Sequence, residues 1–347
     1  MRLSVLDQSP IVEGSSGGDA LRRSIDLARV AERSAYHRYW VAEHHGTPML
    51  ACPAPEVLIP AIAAATVRIR VGSGGVMLPH YSPLKVAEAF SMLSALYPGR
   101  IDLAVGRAPG SDPLTAFALQ RDRRQAAPDD FPQQLTELLA YVWERMPPDH
   151  RFARLAALPG RPERPEVWLL GSSPQSGLWA AELGLPYAFA DFINPAGGPV
   201  ALYYREQFEA SASRPAPHVV AAVSAICAET DEQAERLAAS SRMAFTLFFQ
   251  GTLIQVPAVD RALRFLADHP DSVEALGRRR RAIIGSPATV RAGIERVAKE
   301  YAADEIMIVT IVHDHHARCR SYELIAEAFD RLPAATGTKN SELKAEN

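Results

Sequence analysis

Cysteine is scarce in this chain: three in 347 residues, Cys52, Cys227 and Cys319, far apart and without paired spacing. That excludes a disulfide framework and a cysteine-based zinc site as the foundation of the fold. No apolar run reaches membrane-spanning length. The opening MRLSVLDQSP reads as a short strand, not a basic region followed by a long apolar one, so the expectation is a cytoplasmic protein with no membrane partner. Positive charge is not in excess either. Lys+Arg number 37 against Asp+Glu 40, a net charge of -3, which leaves no bulk basic field to attract nucleic acid. The one basic run, Arg278-Arg279-Arg280-Arg281, reads as a solvated helix face or a mobile segment. A dinucleotide fingerprint is also missing, because Gly14, Gly17 and Gly18 do not make G-x-G-x-x-G after the first strand.

What the chain does have is apolar residues, 48% against 22% charged, enough for a large core that needs no covalent or metal staple. They fall into short runs alternating with helix-period segments. Strands are expected at 2–6, 39–43, 69–78, 101–106, 166–171, 187–190, 218–228 and 305–312. Between them, helices open at Ser82-Pro83, run near 130–145, 174–183 and 197–211, and start again at Asp231. Strands this apolar, without alternation, are buried on both faces, as in a parallel sheet covered by helices. About eight strand–helix units predict a (β/α)8 TIM barrel, with an open doubly wound sheet as the competitor. Two segments exceed a minimal barrel: 107–128 after strand four, and 246–288 between helix seven and strand eight. Such excursions tend to be lids or binding loops. Residues 1–332 read as one domain, and 333–347 as a disordered tail with little to pack.

In a closed parallel barrel the chemistry lies at the C-terminal strand ends. Strand two delivers Glu43-His44-His45 and strand three delivers Gly74-Gly75, then His80-Tyr81. Strand four delivers Arg107, strand five Ser172, Ser173 and Ser176, and strand eight His313-Asp314-His315-His316. A metal is not expected. His44 and His45 are consecutive, so their side chains diverge, and there is no H-E-x-x-H spacing. GSSPQSG (171–177) follows a strand and opens a helix, offering free N–H groups and hydroxyls to a phosphate that Arg107 could also grip. An N-cap serine beside an arginine salt bridge fits the same residues. Gly72, Gly74 and Gly75 interrupt an apolar strand, which suits either a bulge or the close approach of a planar ligand.

Five stretches carry a family resemblance: WVAEHHG at 40–46, VGSGGVMLPHYSPLKVAE at 71–88, GRIDLAVGRAPG at 99–110, LLGSSPQSGLWAAELGLPYAFA at 169–190 and DEIMIVTIVHDHHARCRSYELIAEAF at 304–329. In their order and spacing the chain resembles the bacterial luciferase-like monooxygenases over nearly its whole length. The resemblance implies an α/β barrel that takes reduced FMN, from a separate flavin reductase or held long enough to react. Dioxygen and a small, apolar organic substrate would then react through a flavin hydroperoxide. It places His44 on the acid/base histidine, with Glu43 or His45 orienting it. Arg107 falls on the phosphate arginine, Ser173 and Ser176 on the phosphate turn, and Gly74-Gly75 on a cis peptide beneath the isoalloxazine. A homodimer is implied as well. The chain departs from the pattern at Gly106, where luciferases carry a cysteine, at His80-Tyr81, where relatives carry Asn-His, and at Ser172, where luciferases carry a carboxylate. Two other functions share the barrel: hydride transfer with a deazaflavin coenzyme, and flavin binding without catalysis.

Overall fold

A computed structural model of the protein describes residues 1–120, 122–125, 129–155, 157–211 and 214–330; the expected tail at 333–347 lies outside them. Eight parallel strands close into a barrel. They are β1 (Arg2–Asp7), β2 (Arg38–Val41), β3 (Arg70–Met77), β4 (Ile101–Gly106), β5 (Glu166–Gly171), β6 (Tyr187–Ala190), β7 (Val219–Cys227) and, last in the chain, β9 (Glu305–Val309). Closure runs through β6–β7, β7–β9 and β9–β1, with Tyr187 opposite Val219, Ala222 opposite Met307, and Val5 opposite Ile308. The barrel expectation holds, and no helix among the described residues is long and apolar enough to cross a membrane.

One short strand lies beyond the eight. β8 (Ala282–Gly285) pairs with the far end of β7, with Ser224 opposite Ala282 on one side and Val309 on the other. It therefore continues the line that β6 leaves at Ala190. The 246–288 segment is thus partly regular: it begins in the last turn of the long helix α8 (Asp231–Phe249) and holds α9 (Val259–Asp268), α10 (Pro270–Arg279) and β8. The 107–128 excursion contains α4 (Pro113–Leu119), capped by Asp112, and α5 (Phe131–Trp143) follows it. A further helix, α2 (Pro55–Ala64), carries Pro60 inside it, which hid its periodicity.

Helix starts follow local chemistry. α1 (Gly17–Arg33) opens with a capping box, in which Ser16 accepts from the Asp19 N–H while Asp19 accepts from the Ser16 N–H. α3 (Pro83–Leu96), α6 (Pro174–Glu182) and α11 (Pro287–Glu300) each place proline at the first helical position, where its missing N–H costs nothing. Leu27, Val86, Phe90, Val290 and Ile294 from these helices are buried against the outward strand residues, forming the larger apolar core.

Inside the barrel the alternation of each strand sorts residues by height. On β2 and its continuation the inward row is Arg38, Trp40, Ala42 and His44; on β4 it is Asp102, Ala104 and Gly106; on β5 it is Glu166, Trp168 and Leu170. The middle of the barrel is apolar, built from Leu6, Trp40, Ala104, Trp168, Ala222 and Met307. Its N-terminal end is ionic: buried Arg38 donates to Glu305 at 2.8 Å and to Asp102 at 2.7 Å, over the Trp168 ring. The C-terminal end is left for a ligand.

Candidate active site

The C-terminal mouth holds a cavity of 440 Å³, within the roughly 300–1,000 Å³ common for small-molecule sites. Its floor is apolar, with Leu6, Trp40 and Met307, and its rim carries Gln8, His44, Arg107 and the serines 172, 173 and 176. A second cavity of 490 Å³ adjoins it, and Gln8, His44, Phe192 and Ile193 line both. His44 therefore stands on the wall between two chambers.

Alternation explains why His44, and not its neighbours, reaches the cavity. Glu43 and His45 lie outside the first cavity and bond to each other, His45 Nε2 to Glu43 Oε1 at 2.8 Å, with His45 bordering the second. The fully buried Glu43 also accepts from Tyr81 O–H at 3.0 Å and from the Met77 N–H at 3.0 Å. It lines neither chamber. The expectation that Glu43 or His45 orients His44 is not met, because both face away from that ring and His44 Nδ1 is buried without a hydrogen-bond partner. Burial, with the His45 charge beside it, pulls the His44 pKa down to about 4, so the ring is neutral at pH 7. His80, which bonds to the Pro109 carbonyl at 2.7 Å, and Tyr81 brace this strand end from outside the chambers.

A cluster of hydrogen-bond donors forms where β4 and β5 finish. Ser173 caps α6, accepting from the Ser176 N–H at 3.4 Å, and that helix N-terminus opens on the cavity. Ser176 Oγ donates to the Ser173 carbonyl at 2.7 Å and lies 2.8 Å from the Tyr187 hydroxyl. Arg107 enters the same wall, half exposed, and donates to Asp129 at 2.6 Å, so its guanidinium already meets a carboxylate here. Both parts of the alternative reading, N-cap and salt bridge, are present, and both residues still face the cavity. Such a set of donors suits a phosphate monoester.

The Gly74–Gly75 peptide is cis, where the resemblance placed it. The strand register shifts between Gly74 and Val76. Gly74 lines the cavity; Gly75 does not. Neighbouring strands explain both glycines: a Cβ on Gly74 would lie 2.5 Å from Leu6 Cδ1, and one on Gly75 would lie 2.7 Å from the Ala104 carbonyl oxygen. Gly75→Ala is expected to destabilise the fold by about 1–3 kcal/mol through this overlap, read as a lowered urea midpoint. At Gly106 a Cβ would come within 2.8 Å of Leu170 Cδ1, so the packing there matches glycine rather than a cysteine.

Both excursions reach the site. Ala108 and Pro109 touch the first cavity, while Gly110, Ser111 and Asp112 line the second, together with Phe248, Phe249 and Leu253. Gln8, just past β1, and Phe192-Ile193, just past β6, were not anticipated; the strand-end rule applied to those two strands would have found them. The 313–316 cluster does not converge on either chamber. His313 bonds to the Glu13 carbonyl, Asp314 caps α12 (His315–Ala328), and His315 lies 2.9 Å from Asp26 and 3.6 Å from Cys319. Ligand atoms of those last three residues lie within 4.8 Å of one another, outside the chambers.

Comparison with known proteins agrees with this architecture. The family model for luciferase-like monooxygenases matches residues 1–305. A luciferase-like monooxygenase of Escherichia coli K12 is 41% identical over 330 residues, 95% of this chain and 97% of the relative. The N-acetyl-S-alkylcysteine monooxygenase of Bacillus subtilis 168 is 38% identical, covering 94% of this chain and 98% of its own. Among solved structures, apo-MsnO8 superposes with a TM-score of 0.86 at 42% identity, over 96% of this chain and 99% of that one. With a family match over most of its length and a relative 41% identical over 95% of it, the chain belongs to the luciferase-like monooxygenase family.

Proposed function

We propose that the first chamber binds reduced FMN and that the protein uses dioxygen to oxidise a small organic molecule held in the second. The observation that carries this reading is the position of His44 on the wall shared by the two chambers, with a buried nitrogen that has no protein partner. The residues present fit the cofactor: an apolar floor for a planar ring system, and a helix N-terminus with Ser173, Ser176 and Arg107 for a single phosphate. When bound, reduced FMN supplies the electrons that activate dioxygen.

The chain's own residues supply the rest. Ser173, Ser176 and Arg107 hold the phosphate, and Gly74 forms part of the wall against the ring. His44, neutral at pH 7, accepts or returns a proton on the side facing the second chamber. Glu43 and Tyr81 keep the strand end and Met77 in place from outside the chambers, while His45, bonded to Glu43, borders the second chamber. Phe248, Phe249 and Leu253, with the 107–112 segment, keep water from the reaction, which protects a reactive oxygen species from wasteful decay. The family relationship and a relative named as an N-acetyl-S-alkylcysteine monooxygenase support a small organic substrate. A separate flavin reductase would provide the reduced cofactor.

Titration of the protein with FMN and with riboflavin tests the phosphate site. Arg107→Gln is expected to weaken FMN binding by about 10–100-fold, the weight of one charge-assisted hydrogen-bond pair, and to leave riboflavin binding unchanged. An equal loss for both ligands would place Arg107 outside the phosphate site. Oxygenated product formed from photoreduced FMN and dioxygen, absent with a reduced deazaflavin coenzyme, separates oxygenation from hydride transfer, since free reduced flavin consumes oxygen unaided. Tight FMN binding with no substrate-dependent uptake would instead indicate a passive flavin carrier.

A further inference from the structure

The second chamber has an aromatic and aliphatic wall facing a polar side of Gln8, His44, His45, Thr47, Ser111 and Asp112, and it holds one arginine. Phe192, Phe245, Phe248, Phe249 and Leu253 form much of its wall, and Arg280 projects into it. The Arg280 guanidinium lies 3.6 Å from the centre of the Phe245 ring and 6.0 Å from that of Phe192. Stacking of this kind holds the planar group while its N–H edges remain available.

Its neighbour shows what an ordinary structural arginine does here. Arg281 pairs with Glu300 at 2.5 Å and with Asp191 at 3.2 Å, which answers its charge inside the fold. Arg280 has no ion pair and no side-chain hydrogen bond among the described residues. The chain is extended at Arg280 as it leaves α10 for β8, so consecutive side chains point to opposite sides, Arg281 to the ion pairs and Arg280 to the chamber. The one carboxylate on the same wall, Asp112, is engaged at the start of α4, accepting from the Leu114 and Thr115 N–H groups at 2.9 and 3.1 Å. Burial alone lowers the Arg280 pKa, to about 10, so the group is still a full cation at neutral pH. Arg280 is half-buried; a cation partly withdrawn from water without a counter-ion is costly, and one held against an aromatic wall leaves its charge for a ligand to answer.

We infer that the second chamber takes an amphiphilic monocarboxylate, its carboxylate paired with Arg280 and its apolar body against the phenylalanines. One guanidinium matches one negative charge, and its fork matches a carboxylate in a two-bond pair. A phosphate dianion would bring a surplus charge into an aromatic chamber. This inference rests on reading the second chamber as the substrate side of the flavin site, and it narrows the substrate of that reaction to an organic acid. The basic run that reads in sequence as a solvated face thus contains a residue turned inward.

Calorimetric titration of the FMN-saturated protein with octanoate and with octanamide tests it, the two probes differing in charge and not in length. Octanoate is expected to bind at least about tenfold more tightly, the scale of a charge-assisted bond over a neutral one. Arg280→Gln should bring the two probes to equal affinity, and Arg280→Lys should keep part of the preference. Equal binding of the probes to the natural protein, or a preference that survives Arg280→Gln, overturns the inference. Leu253→Trp gives a second measure if Arg280→Gln does not fold. It fills the chamber and should abolish octanoate binding; undiminished binding there also overturns the inference. FMN titration distinguishes the two levels. Loss of FMN binding with an intact octanoate preference, measured then without FMN, sinks the flavin reading alone. Intact FMN binding without the preference sinks the carboxylate reading alone.

Discussion

Replacement of His44 by alanine is expected to slow flavin-dependent oxygenation by about 10²–10⁴-fold, the usual weight of a positioned acid/base group, while FMN affinity stays unchanged. The separation follows from the roles proposed: His44 lines both chambers, whereas the donors proposed for the phosphate, Arg107 and Ser173, line the first alone. The pH profile gives an independent readout. Burial and the His45 charge hold the His44 pKa down to about 4. Neutral His44 is therefore the dominant form well below neutrality, and turnover should lose its acid side near pH 4 instead of near the usual histidine value. Collapse of FMN binding in His44→Ala would make the residue structural. An acid limb that stays near the usual histidine value would mean that a different group carries the proton.

The same neighbourhood shows how far the sequence can be read. That His44 lies at a strand end was legible from WVAEHHG, because the apolar run stops there. Which of three adjacent polar residues faces inward depends on counting alternate positions back along β2, through Ala42 and Trp40 to Arg38. That row begins with an arginine, an unusual residue for a barrel interior. Only the register beside Asp102 and Glu305, brought from distant strands, makes a buried arginine acceptable. Arg280 failed to stand out for the reverse reason. Four consecutive arginines carry no local sign of which are paired, and the partners of Arg281 come from just past β6 and from α11. The serine-rich turn at the cavity rim was legible because it is local, with a strand, the turn and a helix start within one short segment. The second chamber was not, because it gathers the end of α8, the strand ends and two excursions, which only the closed barrel brings together.

The ionic layer at the other end of the barrel supports the second large expectation. Arg38→Met should destabilise the fold by about 3–5 kcal/mol, because it leaves buried carboxylates without their cation. The two partners do not lose equally. Asp102 keeps Arg70 Nε at 2.9 Å and the Trp40 indole N–H at 2.8 Å, whereas Glu305 is left with the Ser4 hydroxyl and with His218, 3.6 Å away. Adding Glu305→Gln to Arg38→Met should therefore recover part of the loss, and Asp102→Asn should recover less. Lysine is expected to be a poor substitute, since a single ammonium cannot reproduce the fork that reaches both Glu305 and Asp102. Acid titration fixes the sign. Burial pushes the Glu305 carboxyl up, the Arg38 charge is the main influence pulling it down, and the net value is about 2 against an ordinary 4.5. The folded protein thus resists a proton that the unfolded chain accepts. This contribution is complete above about pH 4.5 and lost as the pH falls toward 2. Urea midpoints measured across that window should fall steeply for the natural protein and more gently for the Arg38→Met/Glu305→Gln pair, which has no such carboxylate to protonate. Equal slopes would mean that the layer is held by packing of Trp40 and Trp168 around it, with the charges as passengers.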